Sequence, residues 1–278
     1  MKKIIHIGLS KTGTTFLQKN LFPNIDDYTS YVKNEFPPLI YIDKNNSYYQ
    51  RTLYKRKNIK SLKNNFINKK DIYGFWFKGR IDNYLNKDSN YIVSSEGLAG
   101  AGHAPLLNAK INAKMLKLIF GQVEIMLVLR RQEDYIFSMY RQLVFKENRY
   151  GRFISLDEFL KIKDNKWKNN FDWNKLYNIY SKTFGKDYVH IFPYELIKYD
   201  LKQFTSDFVE LVDSKLKLPE DYFSSKDNVA DVFTYFDGQK KYDFFKEINK
   251  YTLQNHFLHS NKKLEEITNI PFVSKWNY

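Results

Sequence analysis

The chain contains no cysteine. That absence excludes a disulfide framework and thiolate metal sites, and it suits a reducing compartment, which makes the cytoplasm the default location. Long apolar runs are missing too: the aliphatic stretch from Ile125 to Leu129 is far short of the ~20 residues a bilayer-spanning helix needs. Lys2-Lys3-Ile4-Ile5 has the opening of a secretory leader, but His6, Ser10 and Lys11 break the apolar stretch at once, so no signal peptide is expected. The five histidines, His6, His103, His190, His256 and His259, include one close pair, His256 and His259. Even with Glu265 nearby that pair reads as surface rather than as a zinc site, so no metal is expected. Internal repeats, Gly/Ser linkers and abrupt composition shifts are also lacking. A single domain over residues 1–278 is therefore the expectation, with 26–88 as an insertion in it.

What is present is an apolar content of 43%, ample for a buried core, and a net charge of +14. Such a balance favours an anionic partner: a nucleotide, a nucleic acid, an acidic glycan or a membrane surface met peripherally. Much of the basic charge lies in Lys-Asn-rich stretches such as Lys55–Lys70, which read as solvated faces. The 22 tyrosines and 23 phenylalanines fit both base stacking and an ordinary core.

Strands are expected at Lys2–Ile7, Tyr91–Ser94, Glu124–Leu129 and Tyr188–Phe192, and helices at Thr14–Leu21, Ala109–Phe120, Glu133–Phe145 and Leu201–Val212. Residues 26–88, with turn signals at Pro37-Pro38, Asn45-Asn46 and Gly74, read as mixed helix and loop. The rest of the C-terminal part reads as mostly helical. Strands separated by helices imply parallel pairing, because antiparallel neighbours do not need such long crossovers. The fold class is thus α/β, three layers (α/β/α) around a central parallel sheet.

The strongest local signal is Gly8-Leu9-Ser10-Lys11-Thr12-Gly13-Thr14-Thr15, between the first strand and the first helix. Glycines let the backbone turn back and present N–H donors, and a helix start adds partial positive charge where an anion would sit. The ATP-type pattern is not met, since Thr14 stands where its lysine belongs and Lys11 sits inside the loop. Taken alone, this is also what a strand-to-helix turn with incidental glycines looks like.

In that context the loop resembles the 5′-phosphosulfate loop of the sulfotransferases that use 3′-phosphoadenosine 5′-phosphosulfate, in which a lysine precedes Gly-Thr-Thr or Gly-Ser-Thr; here it reads Lys11-Thr12-Gly13-Thr14-Thr15. A second segment, Val128-Leu129-Arg130 through Ser138-Met139-Tyr140, is similar to the family's strand ending in arginine with a serine eight positions later. Val189 to Leu196, with Tyr194-Glu195, and Ser260 to Leu264 extend the likeness, which resembles bacterial carbohydrate sulfotransferases; it is absent from Asp26 to Asp88. The resemblance implies a P-loop nucleotide-hydrolase-like fold, the phosphosulfate nucleotide as sulfuryl donor, and a hydroxyl or amine acceptor, with a carbohydrate favoured and the 26–88 insertion shaping its site. It implies donor contacts from Ser10, Lys11, Thr12, Gly13, Thr14 and Thr15, with Lys11 on the bridging oxygen, and 3′-phosphate contacts from Arg130 and Ser138. Arg supplies a planar fork matched to phosphate oxygens.

The base that deprotonates the acceptor has two candidates, Glu96 after the second expected strand and His103 in a Gly-Ala loop. His6 and His190 lie within strands and read as packed groups. Two other functions fit parts of the pattern: a nucleotide-dependent kinase sharing the loop shape, and a non-catalytic nucleic-acid-binding protein using the charge. Thr14 argues against the first. The second lacks a recognition helix or aromatic ribonucleoprotein motif, so no nucleic-acid partner is expected.

Overall fold

The computed structural model describes residues 1–32, 89–99, 105–106, 109–162, 170–218, 222, 235–237, 240–242 and 254–276. Five strands, β1 (Lys3–Ile7), β2 (Tyr28–Val32), β3 (Asn90–Ser95), β4 (Glu124–Leu129) and β5 (Val189–Pro193), form one sheet in the order β2-β3-β1-β4-β5. Every pairing in it is parallel. β1 is central, with Ile5 opposite both Val93 and Ile125, and it is flanked on either side by strands of almost unbroken burial. Near-continuous apolar strands are what a parallel sheet covered on both faces requires.

The pleat sorts those residues into two cores. Ile5, Ile7, Tyr91, Val93, Ile125, Leu127 and Leu129 face one way. Their layer is completed by α2 (Ala109–Phe120), α3 (Gln132–Tyr140), α5 (Trp173–Phe184) and parts of α8 (Gln254–Thr268) and α9 (Phe272–Lys275); α4 (Leu156–Ile162) packs there as well. Ile4, Ile92, Met126, Val128 and Phe192 face the other way, against α1 (Thr14–Phe16), α6 (Tyr194–Tyr199) and α7 (Leu201–Val212). The three-layer architecture is therefore as the sequence predicts. A hairpin, β6 (Tyr235–Asp237) with β7 (Lys240–Tyr242), lies apart from the sheet.

Three expectations need correction. β2 falls in the stretch read as mixed helix and loop: its Tyr-Thr-Ser-Tyr-Val sequence has strand-forming residues, but as an edge strand it lacks the apolar run that marks the others. The sheet thus has five strands rather than four. The β6–β7 hairpin adds two strands, not foreseen, to a part expected to be mostly helical, being too short and polar to register as alternation. The first helix is α-helical only over Thr14–Phe16 and continues as a π turn over Leu17–Leu21; α3 likewise passes into a π turn over Arg141–Lys146. Residues 33–88, with Lys55–Lys70, lie outside the described residues, as does His103. Among the described residues no helix is long and apolar enough to cross a membrane.

Candidate active site

The chain leaves β1 toward one face of the sheet and the neighbouring β4 toward the other: Phe16 and Leu17 enter one core, Tyr135 and Ile136 the opposite one. Where adjacent connections diverge in this way, ligands of such sheets bind beyond the carboxyl ends of the strands. The Gly8–Gly13 loop, Glu96 and Arg130 all stand at that edge, following β1, β3 and β4.

Close approach builds the loop. A Cβ on Gly8 would lie 3.0 Å from the backbone of Ser95 and Glu96 and 3.0 Å from Thr14, so only glycine lets the ends of β1 and β3 meet. Gly13 adopts φ 77°, and Lys11, which is not glycine, is held at φ 69°. A left-handed non-glycine residue costs about 1–3 kcal/mol and persists only where its surroundings enforce it. Here the hydroxyls of Thr12 and Thr14 both donate to the Leu9 carbonyl, at 2.7 and 3.1 Å, and tie the turn inward. Those hydroxyls serve the loop itself, whereas Thr15 is exposed.

Glu96 opens a 3-10 turn, Glu96–Ala99, directly after β3. It accepts a hydrogen bond from the Ser10 hydroxyl at 3.3 Å, which brings the carboxylate to the loop. Beneath them Ser94 is bound by Gln18, whose side-chain amide donates to the Ser94 carbonyl and hydroxyl at 3.0 Å each, and by His6 Nδ1 at 2.7 Å. Full burial lowers the His6 pKa to about 3, so this imidazole is neutral and is a packed group rather than a titrating one.

Arg130 is held from three sides. Its Nη1 donates to the Lys11 carbonyl at 3.2 Å, its guanidinium carbon lies 4.8 Å from the centre of the Tyr194 ring, and its own carbonyl accepts from Trp173 Nε1 at 2.8 Å. Tyr194 also touches the loop: a Cβ on Gly13 would meet its ring at 3.4 Å. Arg130 Nε is nevertheless buried without a hydrogen-bond partner. A buried guanidinium donor left open is costly unless a ligand completes it, and an anionic oxygen is the group that fits.

Charges from α3 and its π turn gather at the same place. Tyr135, fully buried, has its phenol pKa raised first by burial and then by the charge of Glu96, with Arg130 opposing. Arg141 is lowered by burial and by the nearby Arg130. The Glu147 carboxyl is lowered first by the Gln142 hydrogen bond, with Arg149 and Lys11 adding to it. Ser138 sits half-buried on α3 between these groups, and its side chain makes no hydrogen bond among the described residues. The structure thus gathers the loop, Glu96 and Arg130 and places Ser138 on the adjoining helix. Trp173 and Tyr194 reach the site from distant elements, and Arg141 and Glu147 from the π turn that continues α3 and its C-terminal end; none carries an individual sequence signal beyond the Tyr-Glu pair at 194–195, which is part of a resemblance.

No family model matches the chain, and no curated protein matches it in sequence. Among solved structures, the crystal structure of a sulfotransferase from Alicyclobacillus acidocaldarius matches with a TM-score of 0.57 and 18% identity, covering 100% of this chain and 99% of that one. The chain accordingly has the α/β fold of that sulfotransferase, with its five-stranded all-parallel sheet and covering helices.

Proposed function

We propose that the protein moves a sulfuryl group from 3′-phosphoadenosine 5′-phosphosulfate to an acceptor hydroxyl or amine, the favoured acceptor being a carbohydrate. The observation that carries this reading is the convergence at one edge of the sheet of a strained lysine loop, a strand-end carboxylate and an arginine whose buried Nε lacks a partner among the described residues. When bound, the donor supplies the sulfuryl group and a phosphate leaving group. Lys11 neutralises charge growing on the bridging oxygen, the kind of donor that contributes about 10²–10³ in rate. Gly13, Thr14 and Thr15 present backbone N–H groups at a helix start. Arg130 and Ser138 take the 3′-phosphate, and Ser10 and Thr12 shape the loop that holds the 5′ end. Glu96 accepts the acceptor's proton, with His103 as the alternative base.

The net charge of +14 suits an acidic glycan as acceptor. Thermal shift with 3′,5′-adenosine bisphosphate, ATP and an oligonucleotide tests the donor half of the reading: clear, saturable stabilisation is expected from the first alone. Stabilisation by ATP alone would favour a kinase, and by the oligonucleotide alone a nucleic-acid binder.

A further inference from the structure

Three consecutive residues, from the end of β4 into the start of α3, are gripped by α5, by α6 and by the C-terminal part of the chain. The peptide joining Arg130 to Arg131 is pinned at both ends, its carbonyl by Trp173 Nε1 at 2.8 Å and its N–H by the Glu195 carboxylate at 3.0 Å. The other oxygen of Glu195 accepts from Trp276 Nε1 at 2.7 Å, and Arg131 Nη1 donates to the Trp276 carbonyl at 3.2 Å. One residue on, the side-chain amides of Gln132 and Asn261 bond each other in both directions, at 2.8 and 3.1 Å. Trp276 is buried, and its ring lies 4.6 Å from that of Phe272.

Holding Glu195 there is unfavourable in itself, since burial raises its pKa while the N–H donors of Arg131 and Trp276 oppose the shift. A carboxylate spent only on packing would be replaced by an apolar group at little loss. One of its oxygens instead fixes the peptide plane that carries Arg130 while the other is held by Trp276, and its neighbour Tyr194 lies against the Arg130 guanidinium. A fork matched to a phosphate is sensitive to aim, because displacement by about 1 Å can cost a large factor in productive geometry.

We propose that Trp276, acting through Glu195, is a positioning residue for Arg130, so that selection of a 3′-phosphate depends on the segment that follows α8. This rests on the donor-site reading above. It predicts a loss in selectivity rather than a general weakening.

The test is calorimetric titration of 3′,5′-adenosine bisphosphate and adenosine 5′-phosphate into wild type, Trp276→Phe and Glu195→Gln, with thermal melts reporting folding. Trp276→Phe keeps an aromatic ring and deletes the N–H; Glu195→Gln keeps the shape and leaves one oxygen for two donors. Both variants are expected to bind the bisphosphate about five- to tenfold more weakly, the worth of a lost buried hydrogen bond, with the monophosphate unchanged. A wild-type preference for the bisphosphate that both variants retain, or equal weakening of both nucleotides, overturns the positioning role and leaves the donor site standing. A wild type without that preference overturns the donor site, and the positioning role with it. Should Trp276→Phe not fold, the near-isosteric Glu195→Gln decides by the same criteria.

Discussion

Lys11 is held in a left-handed conformation that lysine does not favour, while Arg130 lends a hydrogen to its carbonyl. On the proposed reading its amine would meet the reacting end of the donor from a backbone already set in that conformation. Lys11→Ala is expected to keep nucleotide affinity within about tenfold yet cut transfer at least about 10²-fold, measured with radiolabelled donor, because its main partner charges only as the bond breaks. Unchanged turnover would sink the mechanism. Arg130→Ala removes a charge-assisted contact worth about 1.5–3 kcal/mol and should weaken nucleotides bearing a 3′-phosphate selectively, with Ser138→Ala milder. If affinities for the bis- and monophosphate fall together, the arginine is misassigned. For the base, Glu96→Gln should lower turnover by about 10²–10⁴ with donor affinity intact, while His103→Ala should mainly raise the acceptor's KM. A large turnover defect confined to His103 variants transfers the role to the imidazole.

At the scale of elements, what the sequence made legible are the pieces whose signals are local. The strand ends at Ile7 and Leu129 follow from runs of apolar residues, the second strand's end is legible to within one residue (Ser94 expected, Ser95 observed), and the loop follows from two glycines five apart. Gly8 was visible as a turn residue, but its real constraint is spatial: the backbone of Ser95 and Glu96 occupies the place of its Cβ. Gly8→Ala should therefore force β1 and β3 apart where Ser10 meets Glu96, lowering the melting temperature and, through Glu96, the turnover. Gly121→Ala is the control, since nothing lies within 4 Å of its added Cβ although its φ of 73° still imposes backbone strain. A Gly8→Ala loss in turnover no larger than that of Gly121→Ala would show that the close approach does not matter to the site. Edge strand β2, whose strand-forming residues lack the apolar run of the others, and the bond between Glu195 and Trp276, 81 residues apart, were not legible.

For the whole molecule, the centre of the sheet carries a polar inclusion that periodicity alone reads as core. His6 is fully buried, its Nδ1 bonded to Ser94 of β3 and its ring edge-on to Phe22 at 5.3 Å. With its pKa lowered to about 3 from the ordinary 6.5, the imidazole is neutral in the folded chain but takes up a proton in the unfolded chain below pH 6.5. The unfolded state then binds more protons, so stability falls as the pH drops from 6.5 toward 3 and is flat above 6.5 from this cause. Between pH 7 and pH 5 the loss is about 2 kcal/mol. Urea titrations at the two pH values should show that drop in wild type and a smaller one in His6→Leu, whose other titrating groups are unchanged. The comparison isolates one proton: an equal acid drop in both proteins would mean that His6 does not resist protonation in the fold, and that the polar inclusion beneath the loop is open to water.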